Sequence, residues 1–200
     1  MKKLTAVFLA FLMCFLCCSG VSATGNKKLK FKDDGTFRIL QINDFQDNQN
    51  TDARTVAFLN AILDKYHPDL VVIVGDQLVP GNGMSVEEIR TALNNELQPM
   101  ENRHIPFIYT YGNHDHDHDA TLDSAAQAAI YDAFSMSYAS HNGPDPGTYN
   151  NVIYGKDGVT PVLNIYMMDT HNWNPAGWIS GVDETQVQWY KETSDALKAQ

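Results

Sequence analysis

The hydrophobic pattern opens with Lys2 and Lys3, an apolar run over residues 4–18, and small residues over 19–23. After a polar lead-in at 24–36, Phe37-Arg38-Ile39-Leu40-Gln41-Ile42 reads as a first strand, closed by Asn43, Asp44 and a polar loop to Asn50. From Asp52, the apolar positions Val56, Leu59, Ile62, Leu63 and Tyr66 recur at helical spacing until His67-Pro68 ends the run. Leu70-Val71-Val72-Ile73-Val74 is uninterrupted, the pattern of a strand covered on both faces, and Gly75-Asp76 stops it. Beyond a loop with Gly81 and Gly83, Ser85 and Glu88 form a capping box for a helix that sets Ile89, Ala92, Leu93 and Leu97 on one face. Residues 105–111 make a third strand stopped by Gly112-Asn113, and an alanine-rich helix follows over 121–134. A loop over 139–149 carries Gly143, Pro144, Pro146 and Gly147. Two strands, 149–154 and 161–168, meet at Lys156-Asp157-Gly158, and Asp183 and Gln186 open a last helix that runs nearly to Gln200.

Strands alternating with helices imply parallel pairing and right-handed crossovers, hence an α/β layered domain over 37–200, with mainly parallel strands flanked by helices. Composition adds to this: 44% apolar and 19% charged residues suit a packed core and exclude a disordered chain. The first segment has the order of a secretory signal peptide, 1–23, with Val21-Ser22-Ala23 as the small-x-small site cleaved after Ala23. Its apolar run is shorter than the roughly 20 residues that span a bilayer. The expected destination is the periplasm, cell envelope or medium, with no membrane attachment after cleavage. Removing residues 1–23 takes the 200-residue chain to 177 and, by removing Lys2 and Lys3, the formal charge from −10 to −12. It also removes Cys14, Cys17 and Cys18, so no disulfide framework supports the fold. The acidic balance argues against nucleic acid or an anionic membrane as partner and leaves cations as the natural complement.

Ligands of open α/β sheets sit beyond the carboxyl ends of the strands. Here the first strand ends at Asn43-Asp44, the second at Gly75-Asp76 and the third at Gly112-Asn113-His114-Asp115. Taken singly, Asp44 and Gly75-Asp76 also suit ordinary turns. A turn accounts for Gly112 and Asn113 but gives no reason for the adjacent His114 and Asp115. Carboxylate, amide oxygen and imidazole delivered to one sheet edge are the donors of a Mn, Fe, Zn or Mg site.

These three motifs resemble the first three of the calcineurin-like metallophosphoesterases, and the resemblance covers about residues 37–195. It is closest to the exported branch distantly related to purple acid phosphatases, where a Gly-Trp-Ile segment, here Gly177-Trp178-Ile179, precedes a helix with a Gln and a Trp, here Gln186 and Trp189. The resemblance implies two divalent or trivalent metal ions (Mn, Fe or Zn) and a small phosphorylated substrate. Asp44 would bind the first metal, Asp76 would bridge both and Asn113 would bind the second. His114 would contact the phosphate and Asp115 would hold the His114 ring. The implied reaction is hydrolysis of a phosphoric ester by a hydroxide that the two metals activate.

Two features depart from that family. Gln46 stands where the first motif, Asp-x-His, has its histidine; an amide oxygen donates less strongly than imidazole, so a weaker or differently selective first site is expected, with Asp47 available to compensate. The family's further histidine and Gly-His-x-His segment are not found in residues 1–200, so the expectation is an amino-terminal portion, incomplete at its carboxyl end and weakly active or inactive alone. The alternative is a non-catalytic metal- or ligand-binding α/β module. A glycosidase built on paired carboxylates would give no reason for Gly-Asn-His-Asp.

The run His114-Asp115-His116-Asp117-His118-Asp119 reads either as an added metal-binding loop or as a solvated rim in which only His114 and Asp115 have set roles; the rim is expected, with His116 within reach of substrate. His67 and His104 fall at helix ends, where a partly positive imidazole suits the helix dipole. His171, after Asp169, is expected as a polar loop residue, and Trp173 and Trp178 as loop-packing aromatics.

Overall fold

The computed structural model describes residues 28–172 and 180–199. Residues 1–23, expected as a signal peptide, and Trp173, Gly177, Trp178 and Ile179 lie outside the described residues.

Three parallel strands, β2 (Ile39–Ile42), β3 (Leu70–Val74) and β4 (Phe107–Thr110), form one sheet in the order β2-β3-β4. Ile42 pairs with Ile73, and Val74 pairs with Thr110. Helices α1 (Ala53–Tyr66), α2 (Val86–Asn102) and α4 (Ser124–Tyr131) cover one face. There Val71, Ile73, Phe107 and Tyr109 meet Leu59, Leu63, Ile89, Leu93, Leu97 and Tyr131. The alternate residues Leu70, Val72 and Ile108 point the other way, against a second sheet, which is why β3 has no polar position until its end.

The second sheet has the order β1-β5-β6, from β1 (Leu29–Lys30), β5 (Tyr149–Tyr154) and β6 (Pro161–Met167). β1 runs parallel to β5, and β5 antiparallel to β6. The polar lead-in therefore contributes a strand: Leu29 is buried between Lys28 and Lys30, an alternation too short to stand out. Leu29, Tyr149, Ile153 and Met167 face the first sheet. The outer face of β6 receives α5 (Glu184–Lys198), with Tyr166 edge-on to Trp189 and Tyr190. The result is four layers, helices, sheet, sheet and helix, in place of a single continuous sheet.

Tyr149 ties the two sheets together: its hydroxyl accepts from Tyr109 N–H at 2.8 Å and donates to the Tyr109 carbonyl. The outer edge of β4 is closed further by Phe107 N–H to Met136 O and Tyr138 N–H to Phe107 O, so its backbone does not remain an open edge. Two helix starts follow the capping boxes legible in the sequence, Ser85 with Glu88 and Asp183 with Gln186, while Asp52 and Asp123 cap α1 and α4.

Candidate metal centre

The parallel ladder continues past the ends of β2 and β3. Asp44 N–H donates to Gly75 O, Gln46 N–H to Asp76 O, and Asp47 N–H to Gln77 O. This register fixes Asp44 and Asp76 on adjacent turns of one edge. Both lie in left-handed backbone, φ 57° and 52°, as does Gln46 at 48°. Non-glycine residues adopt that region rarely and at a cost of order 1 kcal/mol or more each, so three of them at neighbouring strand ends mark an over-determined edge.

Two glycines let the turns approach. A Cβ on Gly75 would fall 2.1 Å from Gly112 N, and one on Gly112 would fall 2.2 Å from Asp76 Oδ1. The Asp76 carboxylate thus lies directly on the Gly112 backbone, where it accepts the His114 N–H at 2.9 Å. Asn113 is exposed at the start of α3 (Asn113–His116). Among the described residues, neither Asp44 nor Asp76 has a Lys or Arg ion-pair partner. Two uncompensated carboxylates with the amides of Gln46 and Asn113 alongside suit hard or borderline divalent cations, so this donor set fits the metals implied by the three motifs.

Helical periodicity sorts the His-Asp run into three pairs. His114 Nδ1 lies 2.8 Å from Asp117 Oδ2, and His116 Nδ1 lies 2.9 Å from Asp119 Oδ2, each pair spaced i,i+3. Asp115 and His118, also three apart, turn inward and are 1% and 0% exposed. The expected solvated rim is corrected by this: one helical turn buries every third residue. His118 Nε2 reaches Val79 O at 2.9 Å.

Asp115 does not hold the His114 ring. Its Oδ2 accepts N–H groups from Asp76 and Gly112, each at 2.8 Å, and its Oδ1 accepts those of Gln77 and Leu78 at 3.0 and 3.1 Å. Burial carries its carboxyl up to about 6, against the pull of these donors. Asp115 is therefore a positioning residue that joins the turn after β3 to the turn after β4. Asp117 takes the ring instead. It is itself held by Gly81 N–H and by the Asn172 amide at 3.0 Å, and its hydrogen bond to His114 raises the imidazole above its ordinary value. Asp47 does not stand in for the missing histidine, because its carboxylate is engaged by the backbone N–H groups of Asn48 and Asp52.

A second cluster stands where the carboxyl end of β6 meets α3. His116 Nε2 is 2.9 Å from both oxygens of Asp169, which is 2% exposed. His171 N–H donates to Asp169 Oδ1 at 2.7 Å, and its Nδ1 lies 3.6 Å from Oδ2. His171, expected as a loop residue, is thereby drawn to the site, at φ 58°. The pairing of His116 with Asp169 spans 53 residues and had no local signal in the sequence. Gln186 supports the cluster from α5: it is fully buried and donates to Asp169 O at 2.7 Å and Thr148 Oγ1 at 2.8 Å.

Residues 37–199 match the calcineurin-like phosphoesterase family. The chain belongs to that family. Among its relatives is Probable inactive purple acid phosphatase 29 of Arabidopsis thaliana, 29% identical over 98% of this chain and 56% of its own length. Phosphatase DCR2 of Saccharomyces cerevisiae is 28% identical over 85% of this chain and 32% of its own. Probable inactive purple acid phosphatase 14 of Arabidopsis thaliana is 25% identical over 98% of this chain and 56% of its own. The chain thus spans about half or less of the length of these relatives. Calcineurin-like phosphoesterases typically bind a dinuclear metal centre.

Proposed function

We propose that the chain carries the early half of a metal-dependent phosphoric ester hydrolase site and acts on a small phosphorylated substrate after export. The observation that supports this best is the juxtaposition of Asp44 and Asp76 on one extended ladder, with His114 bonded through its own N–H to the Asp76 carboxylate. Asp44, Gln46, Asp76 and Asn113 would hold the two cations, which when bound supply the Lewis acid for phosphoryl oxygens and for water. His114, held by Asp117, whose hydrogen bond raises the imidazole above its ordinary value, is suited to stabilise charge on a phosphoryl oxygen or to protonate the leaving oxygen. Asp115 keeps the two turns in register.

The alternative, a non-catalytic metal-binding module, draws on Gln46 in the place of a histidine and on relatives whose names describe them as inactive. The deciding measurement pairs Mn2+ and Zn2+ content with p-nitrophenyl phosphate hydrolysis for the wild type and Asp76→Asn. The hydrolase reading expects Asp76→Asn to lose metal and to slow turnover by about 100-fold or more, the scale on which placed catalytic groups act. Equal hydrolysis by both proteins would remove Asp76 from the reaction. Metal retained by the wild type without turnover would show that residues 1–200 alone behave as the module.

A further inference from the structure

We propose that His116, Asp169 and His171 form an additional, mononuclear cation site, separate from the carboxylate edge at Asp44 and Asp76 and selective for Zn2+ or a similar late first-row ion. Among the described residues, these are the one group of three or more His, Cys, Asp or Glu side chains whose ligand atoms all lie within 4.8 Å of one another. Ligands around a tetrahedral zinc, at its usual bond lengths, stand about 3.3 Å apart. The separations of Asp169 from His116 Nε2, 2.9 Å, and from His171 Nδ1, 3.6 Å, bracket that value.

Asp119 takes the far nitrogen of His116, fixing its ring so that Nε2 faces Asp169, the carboxylate–histidine arrangement that orients imidazole for a metal. The far nitrogen of His171 lies 4.0 Å from Asp183 Oδ2 and 3.4 Å from the Gln186 amide nitrogen. Three carboxylates, Asp119, Asp169 and Asp183, therefore surround two imidazoles. Among the described residues, no Lys or Arg pairs with any of them. Asp169 is nearly fully buried, so its charge is screened little by water, and a cation held by two imidazoles would compensate it.

Donor type separates this site from the other. The edge at Asp44, Gln46, Asp76 and Asn113 offers oxygen donors alone, whereas this site offers two imidazoles and one carboxylate, a set that suits Zn2+. The ion would also clasp α3, on the first sheet, to the end of β6, on the second.

The test is Zn2+ titration, by equilibrium dialysis and calorimetry, of the Asp76→Asn chain, in which the carboxylate edge is disabled. One Zn2+ per chain is expected, and Co2+ in its place should give the visible absorption of a low-symmetry site. Adding His171→Ala, a change at a partly exposed side chain, should weaken Zn2+ binding at least tenfold. Adding Asp119→Asn instead should weaken it by about 10–100-fold, the range for a residue that orients a ligand. Circular dichroism confirms that each variant is folded. Zn2+ affinity unchanged by both additions, or no Zn2+ bound by the Asp76→Asn chain, overturns the proposal. Either result leaves the hydrolase reading standing, because that reading rests on Asp76 itself.

Discussion

Replacing Asp115 by Asn tests whether this residue is framework. The carboxylate accepts four backbone N–H groups, two on each oxygen, from Gly112, Asp76, Gln77 and Leu78. An amide has one oxygen. Whichever way it turns, two N–H groups keep an acceptor and two face an NH2 that can only donate. A buried donor left without a partner costs about 1–3 kcal/mol, and the retained pair loses the strength that the charge lent it. The expected loss is about 3–5 kcal/mol, a large part of the roughly 5–15 kcal/mol that stabilises an ordinary domain. Urea unfolding followed by tryptophan fluorescence at pH 8 is the assay, since Asp115, at about 6, is ionised there. With a slope of about 1–3 kcal/mol per molar urea, the midpoint should fall by more than about 1 M. Asp33→Asn, at an exposed position, supplies the baseline and should stay within about 0.5 kcal/mol of wild type. If the Asp115→Asn midpoint moves no further than that of Asp33→Asn, the four-bond framework is wrong.

Two further substitutions probe the same region. Glu96 is 2% exposed, neither of its carboxylate oxygens has a partner among the described residues, and burial with Asp115 and Asp47 nearby holds its carboxyl well above the ordinary range. A raised carboxyl contributes its stability fully below the unfolded value, about 4.3, and loses it as pH rises toward the folded one. Glu96→Met should therefore stabilise the chain by about 1–3 kcal/mol near neutrality and by less at pH 4, and a gain that does not vary with pH would count against a buried neutral acid. Gly112→Ala puts a Cβ 2.2 Å from Asp76 Oδ1, so it should destabilise the chain by about 2 kcal/mol or more and lower Mn2+ retention; a variant with wild-type melting and metal content would mean the turns have room to separate.

The parts legible in the sequence are those whose cause is local. The unbroken apolar run of β3, the capping boxes at Ser85 and Asp183, and the Gly-Asp and Gly-Asn turns each follow from neighbours a few residues apart. Periodicity also places Glu96, three residues after Leu93 and four before Met100, on the buried stripe of α2; its charge is what hid it. The same period contains the pairs His114 with Asp117 and His116 with Asp119, which a reading of the run as a polar loop passes over. Hydrophobic alternation says which residues face inward but not which sheet they join, so neither the separate pairing of β1 with β5 nor the meeting of Asp169 with His116 followed from it.

Backbone strain falls on the candidate ligands. Of the seven non-glycine residues with positive φ among the described residues, Asp44, Gln46, Asp76 and His171 all follow the carboxyl ends of strands. Folding alone would favour glycine or asparagine at such turns. Instead the positions hold two carboxylates, an amide and an imidazole, all able to bind a cation. Two of the four backbones are held there by neighbours that bind nothing themselves: Asp44 N–H donates to the Gly75 carbonyl, and Asp115 accepts the amide of Asp76. Strained donors at the edge and satisfied residues behind them are what a site needs when its ligands must be in place before the ion arrives.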